Sequence, residues 1–196
     1  MEKVWLKSYP AGVPADIGPL SDSSLADLME KACRRYGNKA AYVSMGKELS
    51  YADLDRLSKD FAGWLQSKGL TKGSRVALMM PNLLQYPVCL FGALRAGCIV
   101  VNVNPLYTPR ELEHQMKDSG AEAIVVVENF ARTVEQVLPR TQIRQVVVTP
   151  MGEMLGGLKG WLVNLVVRHV KKMVPKWRIP HAISLHTALA AGRHHG

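Results

Sequence analysis

The sequence predicts a doubly wound α/β fold, in which a mainly parallel sheet is flanked by helices on both faces. Three of the four segments that suit strands after residue 74 are nearly continuous runs of Val and Ile. Strands that are buried on both faces have this composition, and they belong to parallel sheets. Strand and helix patterns also alternate through residues 75–149 at intervals of roughly 20–30 residues, which favours right-handed crossovers between parallel strands.

The residues before the sheet predict an extended arm, a helix and a hairpin. Residues 1–22 are rich in Pro and Gly and are expected to run over the surface as an arm. The next helix is expected to begin after Ser24, a favourable N-cap, and to stop at Gly37. The stretch "AAYVSMGKELSY" then predicts two short strands around a turn at Gly46 and Lys47.

Residues 23–150 are expected to form one α/β unit. A second capped helix runs from Ser50 to Gly69. It precedes the strands "RVALMM", "CIVVNVN", "AEAIVVVE" and "RQVVVT", with the helices "PNLLQYPVCLFGALRAG", "TPRELEHQMKDSG" and "FARTVEQVLPRT" between them. The first of these helices is framed by Pro81 and Gly97, and Pro87 should kink it or restart it.

One junction between strand and helix is a candidate binding site. Asn102, Asn104, Tyr107 and Thr108 follow the second strand of the predicted sheet, where ligands of open parallel sheets collect. The helix that starts there could attract an anion through its N-terminus. The simpler interpretation is a scaffold loop, held by a capping box between Thr108 and Glu111, with Tyr107 packed back on the sheet. We favour the scaffold interpretation.

The residue patterns predict no catalytic, cofactor-binding or metal-binding side chains. The glycines of "MGEMLGGLKGW" match neither GxxxxGK[ST] nor GxGxxG, so a phosphate-binding loop is not indicated. His114 lies on an exposed helix face, and the other histidines have no partners at metal-ligand spacing. Cys33, Cys89 and Cys98 form no CxxC pair, which fits a reducing compartment.

Residues 151–196 are expected to form a basic linker with an amphipathic helix. Seven Lys and Arg residues follow Glu153, and no Asp or Glu does, so much of the formal charge of +9 lies here. On a helical wheel the apolar residues form one arc, opposite Asn164, Arg168, Lys171 and Lys172. Apolar residues facing basic ones are typical of helices at anionic membranes. The candidate membrane-interface residues are Trp161, Arg168, Lys171, Lys172, Lys176 and Trp177.

Two alternatives remain for this basic segment. The helix could instead be buried against another part of the protein. Nucleic acid is disfavoured as a partner, because the segment lacks the interleaved aromatic residues and the defined motif of nucleic-acid-binding modules. The charge-free stretch in this segment, Gly160 to Val167, has only eight residues and is too short to cross a membrane.

Longer stretches of the sequence resemble a known family. "RVALMMPNLLQYPVCLFGALRAGCIVVNVNPLYTPRELEHQMKDSGAEAIVV" resembles bacterial long-chain fatty-acid–CoA ligases, members of the adenylate-forming superfamily. "KVWLKSYPAGVP" near the start and "VNLVVRHVKKMVPKWRIPHAISLHTAL" near the end are similar to the long-chain branch in particular. One departure is Ser74, where the family usually has Asp in a surface turn.

The resemblance implies the activity, substrates and location of a complete enzyme. Such a ligase converts a long-chain fatty acid and Mg-ATP into an acyl-adenylate, from which coenzyme A displaces AMP. The family's glycine-rich "YTGGTTG" loop is missing, so we expect a chain truncated before it. The chain would then be an incomplete first subdomain of the large N-terminal domain, inactive alone and without bound ATP, Mg²⁺ or CoA. The implied location is the cytoplasm, at the inner face of the cytoplasmic membrane, and a homodimer is an implied assembly.

Two other function classes stay open at this stage. The chain could be a non-catalytic α/β module that binds a nucleotide or an acyl group. It could also be an interaction protein at the membrane periphery. The first predicts measurable affinity for such ligands, whereas an enzyme fragment should show little.

Overall fold

The computed structural model describes residues 2–20 and 22–195 of the chain. The strands are β1 (Ala40–Ser44), β2 (Lys47–Ser50), β3 (Arg75–Met79), β4 (Ile99–Asn102), β5 (Ala123–Val127), β6 (Gln145–Thr149) and β7 (Ile183–Ser184). The helices are α1 (Leu25–Tyr36), α2 (Tyr51–Ser67), α3 (Gln85–Arg95), α4 (Pro109–Ser119), α5 (Ala131–Val137), α6 (Gly157–Leu165) and α7 (Leu185–Gly192).

Five of the strands form one parallel sheet in the order β4-β3-β5-β6-β7. The chain leaves β3 first toward β4 and then returns to add β5 on its other side, which is the reversal that defines a doubly wound fold. The predicted fold class is therefore confirmed. Strand β7 was not predicted, because it has only two residues and no apolar run announces it.

Helices cover both faces of the sheet and create two apolar layers. Alternate residues of a strand point to opposite faces, so Val76 and Leu78 of β3 pack beneath α2, α3 and α7. Ala77 and Met79 of the same strand pack beneath α4 and α5. This two-sided burial explains why β5 and β6 are made of consecutive Val and Ile residues.

The helix caps agree with the sequence. The hydroxyl of Ser24 accepts a hydrogen bond from the N–H of Asp27, and that of Ser50 accepts one from Asp53. At α4 the predicted capping box is present, since Thr108 and Glu111 bond each other through both side chain and backbone.

Two local expectations were wrong. The hairpin turn lies at Met45 and Gly46, not at Gly46 and Lys47, because both turn residues have positive φ and Lys47 already belongs to β2. Helix α3 begins at Gln85 rather than near Pro81. Pro87 therefore falls in its first turn, where the missing N–H removes no helical hydrogen bond and neither a kink nor a restart follows.

A buried guanidinium joins the first three helices. Arg95 of α3 donates to Glu30 Oε1 on α1 at 2.6 Å and to Ser58 Oγ on α2 at 3.1 Å, and it also donates to the carboxylate of Asp55. Charged hydrogen bonds of this kind are stronger than neutral ones. They fix the position of α1 against α2 and α3, beside the sheet.

Candidate functional site

Polar side chains gather at the carboxyl ends of β5, β6 and β7. Glu128 follows β5 and is buried, the buried Thr149 ends β6, and Ser184 ends β7. In open parallel sheets this edge is the usual place for a ligand. A cleft of about 180 Å³ opens there, and its walls are formed by Glu128, Val148, Pro150, Arg168, Trp177, Ala182, Ile183 and Ser184.

An ion pair occupies one side of this cleft. Arg168 Nε lies 3.0 Å from both carboxylate oxygens of Glu128, and Arg168 Nη2 lies 2.6 Å from Glu128 Oε2. The hydrogen bonds to Glu128 raise the pKa of the Arg168 guanidinium above its usual range. The carboxylate of Glu128 neutralises the positive charge of Arg168. The residues that line this cleft therefore do not fit a triphosphate.

A second buried network lies beside the cleft. Gln85 Nε2 donates to Thr149 Oγ1 at 3.2 Å and to the carbonyl of Pro150 at 3.0 Å. The hydroxyl of Thr149 donates to the carboxylate of Glu153, whose Oε1 also accepts from the N–H of His186 at 2.9 Å. Burial raises the pKa of the Glu153 carboxyl. The network ties α3, β6 and the start of α7 together, which is a structural role.

Sequence reasoning singled out none of these network residues. Gln85 and Thr149 are 64 positions apart, and Glu153 and His186 are 33 positions apart. No local spacing links such pairs. The single sequence signal was that Glu153 is the last carboxylate before the basic segment.

At the strand-end junction predicted from the sequence, the polar side chains bond other groups of this chain. The hydroxyl of Tyr86 donates to Asn102 Oδ1 at 2.7 Å, and Asn104 Oδ1 accepts from the N–H of Leu106 at 3.0 Å. Thr108 caps α4, and Tyr107 packs against the apolar layer beneath α4 and α5. These partners agree with the scaffold interpretation of the junction.

The six candidate membrane-interface residues do not share one face. Trp161, Lys171, Lys172 and Lys176 are exposed. Arg168 is also exposed, but its guanidinium pairs with Glu128, while the partly buried Trp177 packs against the layer beneath α4 and α5.

The helix expected here changes form at Val166. This change separates the candidate residues after Val166 from the face on which Trp161 lies. Helix α6 ends at Leu165, and a π-helical segment follows from Val166 to Val170. A π turn contains more residues than an α turn, so it shifts the angular positions of all later side chains. Asn164 lies before this segment, on α6, and was expected on the polar arc with Arg168, Lys171 and Lys172. It accepts a hydrogen bond from the N–H of Gly152 at 2.8 Å and thus faces the body.

Among the helices in residues 2–20 and 22–195, none combines the length and apolar character that a membrane crossing requires. In the same described residues, no group of three or more His, Cys, Asp or Glu side chains is arranged to hold a metal ion.

Comparisons with known proteins give one consistent result. Residues 29–175 match the family model described as AMP-binding enzyme. A long-chain-fatty-acid–CoA ligase of Yersinia pestis is 58% identical over 98% of this chain and 34% of its own length. One from Haemophilus influenzae is 50% identical over 99% of this chain and 35% of its own length.

A solved structure shares the fold. A long-chain-fatty-acid–CoA ligase from Archaeoglobus fulgidus aligns with a TM-score of 0.67 at 24% identity, covering 94% of this chain and 32% of its own. The chain spans about a third of the length of the curated relatives that it matches.

Proposed function

The chain belongs to the AMP-binding enzyme family, and on that basis we propose that it is the N-terminal part of a long-chain fatty-acid–CoA ligase. The observation that carries this proposal is the 58% identity to the Yersinia pestis ligase along 98% of the chain. The complete enzyme would use a long-chain fatty acid, ATP and CoA as substrates, with Mg²⁺ accompanying ATP. Its products would be acyl-CoA, AMP and diphosphate.

The chain alone is proposed to be inactive. Formation of an acyl-adenylate requires oriented amides and cations that stabilise developing negative charge. Arg168, the cation of the cleft at the strand ends, is already bonded to Glu128. The buried network of Gln85, Thr149 and Glu153 likewise consists of groups bonded to one another. The role that fits these contacts is a scaffold, which sets the position of a sheet edge beside which catalytic groups act.

The complete enzyme is proposed to be cytoplasmic and peripheral to the inner face of the cytoplasmic membrane. Long-chain fatty acids partition into bilayers, so an enzyme at the surface meets its substrate there. The exposed lysines 171, 172 and 176 support this location, since basic residues are attracted to anionic lipid. A homodimer of the complete enzyme remains a prediction from the resemblance.

A chimera tests the ligase proposal. This chain replaces the matching third of the Yersinia pestis ligase, and palmitoyl-CoA formation is measured with ATP, Mg²⁺ and CoA. We expect activity within about tenfold of the parent, because an interchangeable scaffold should alter the transition-state free energy by about 1.4 kcal/mol or less. The chain alone and the remaining two thirds alone are the controls, and both should release no diphosphate above background.

Two results would contradict the proposal. One is a chimera that is soluble and cooperatively folded yet makes no palmitoyl-CoA. The other is diphosphate release by the 196-residue chain alone, which would show that its own residues support the chemistry. Tight binding of ATP or palmitate to the chain, measured by calorimetry, would instead favour a non-catalytic binding module.

A further inference from the structure

We propose that the tip of the β1–β2 hairpin and the outer face of α6 form one docking surface for an anionic lipid bilayer. The inference rests on the proposed peripheral attachment of the enzyme and identifies the residues that make the contact. The proposed contact leaves out Arg168 and Trp177, which the sequence suggested, and includes the hairpin, which no sequence pattern indicated.

The orientation of α6 is fixed by close contacts on one side. A Cβ added at Gly160 would lie 2.4 Å from the carbonyl oxygen of Gly152, so the helix approaches the body as closely as glycine permits. One turn later, Asn164 bonds the N–H of Gly152. Side chains advance by about 100° per residue in an α-helix, so residues 158 and 162 point away from that contact.

The outward face of α6 is apolar. Leu158 is 78% exposed, Trp161 is 59% exposed and Leu162 is 51% exposed. These three residues follow the i, i+3, i+4 spacing of one helix face. A helix that turns its apolar face to solvent and its asparagine to the protein has the opposite orientation to an ordinary surface helix.

The hairpin tip is also apolar where local rules favour a polar residue. Met45 and Gly46 form a two-residue turn in which both φ angles are positive, at 50° and 70°. Such turns favour Asn-Gly, because Asn tolerates the left-handed conformation better than a long side chain does. Met45 nevertheless occupies the first position with 54% of its surface exposed, and Val43 beside it is 63% exposed. Local preferences are most often broken at functional positions.

A lysine links the two apolar elements. The ammonium of Lys159 on α6 donates a hydrogen bond to the carbonyl of Met45. A Cβ added at Gly46 would lie 3.5 Å from the same ammonium nitrogen. The hairpin tip therefore lies against the start of α6, and its apolar side chains are close enough to meet the same lipid surface.

Charge identifies the occupant. Lys171, Lys172 and Lys176 are exposed on the segment that follows α6. Within the part of the chain that the structure describes, no carboxylate forms a salt bridge with these three lysines. An apolar helix face that is followed along the chain by unneutralised lysines fits the interface of a bilayer that contains anionic lipid.

The decisive variant is Met45→Asn. It removes an apolar side chain from the surface and at the same time supplies the residue that the turn prefers. We expect the melting temperature to stay equal or to rise, while partitioning onto vesicles of 30% phosphatidylglycerol in phosphatidylcholine falls about threefold or more. A purely structural role for Met45 would not separate folding from lipid binding in this way.

Three companion variants complete the co-sedimentation experiment. Leu158→Ser combined with Leu162→Ser should weaken binding about tenfold. Replacing the three lysines with Gln should reduce binding to the anionic vesicles to the level seen with phosphatidylcholine alone. Ile99→Ser is the matched control, because Ile99 is 48% exposed at the amino end of β4, whereas α6 follows the carboxyl end of β6. This control should bind as the parent does.

The outcomes separate this inference from the proposals beneath it. If the parent chain binds anionic vesicles and Met45→Asn binds equally well, the hairpin is not part of the surface and the inference fails, while attachment stands. If the control loses as much binding as the α6 variant, the contact is unspecific and the inference also fails. If the parent chain pellets equally with neutral and anionic vesicles, or with neither, both the inference and the proposed membrane attachment fail. None of these results alters the activity of the chimera.

Discussion

Glu153 has an unusual environment for a carboxylate. It follows β6 and is partly buried beside the start of α7, where it accepts hydrogen bonds from the hydroxyl of Thr149 and the N–H of His186. Glu128 lies near enough to add a like charge. Loss of solvent outweighs the hydrogen bonds, so the pKa of Glu153 lies above its ordinary value of 4.5.

This environment predicts a pH dependence of stability. Below pH 4.5 Glu153 is protonated in both the folded and the unfolded chain, and its burial is least costly. As the pH rises through 4.5, the unfolded chain releases this proton while the folded chain keeps it, so the pKa shift makes folding progressively less favourable. Once the pH exceeds the pKa of Glu153 in the folded chain, the stability that the raised pKa contributes at low pH is fully lost.

Glu153→Gln measures that contribution. An amide cannot ionise, and it can donate to Thr149 Oγ1 while the Thr149 hydroxyl turns to the carbonyl of Pro150, which already lies 3.3 Å away. We expect the variant to gain free energy of unfolding relative to the parent as the pH rises from 4.5 to 7.5, in urea titrations at several pH values. A difference that is constant with pH would contradict the raised pKa.

At the scale of elements, α7 meets α2 through paired glycines. A Cβ added at Gly192 would lie 1.7 Å from the carbonyl oxygen of Asp60, and one added at Gly63 would lie 2.6 Å from the carbonyl oxygen of Gly192. Real Cβ atoms cannot occupy those positions, and the obstacles are backbone atoms that a side-chain rotation cannot remove. The packing of α7 therefore depends on the lack of a side chain at both positions.

Gly192→Ala should detach α7 from α2. Overpacking of this kind costs about 1–3 kcal/mol, and the clash with backbone places this site at the upper end. We expect hydrogen exchange to accelerate in the amides of α7 while those of β5 remain protected. Ala190→Ser, on the exposed side of the same helix, is the control and should leave the exchange of α7 unchanged. Equal protection of α7 in both variants would show that the helices can separate without cost.

The sequence predicts the elements that depend on local signals. The Val-rich strands β5 and β6 and the capping box of α4 follow from periodicity and from spacing over a few residues. The two-residue strand β7 and the π-helical segment at Val166 have no such signals, because tertiary contacts determine them. The pairing of Arg168 with Glu128 spans 40 positions, so no local spacing could predict it.

At the scale of the whole molecule, the three cysteines lie in two different parts of the fold. Cys89 of α3 and Cys98 before β4 belong to the apolar layer over the sheet. Cys33 lies on α1, which packs on α2 and α3 rather than in that layer. Burial raises the pKa of all three thiols, which disfavours the thiolate that reacts with labelling reagents.

These positions predict an order of thiol labelling for the purified chain. Chains that retain only Cys33 or only Cys89 are exposed to a thiol reagent at pH 8 with and without guanidinium. Because both faces of the sheet are covered by helices of this chain, we expect it to fold by itself and to protect Cys89 about 1,000-fold or more. Cys33 should react sooner, since opening α1 alone exposes it. Labelling of Cys89 at its rate in guanidinium would instead mean that the two layers do not form without further polypeptide.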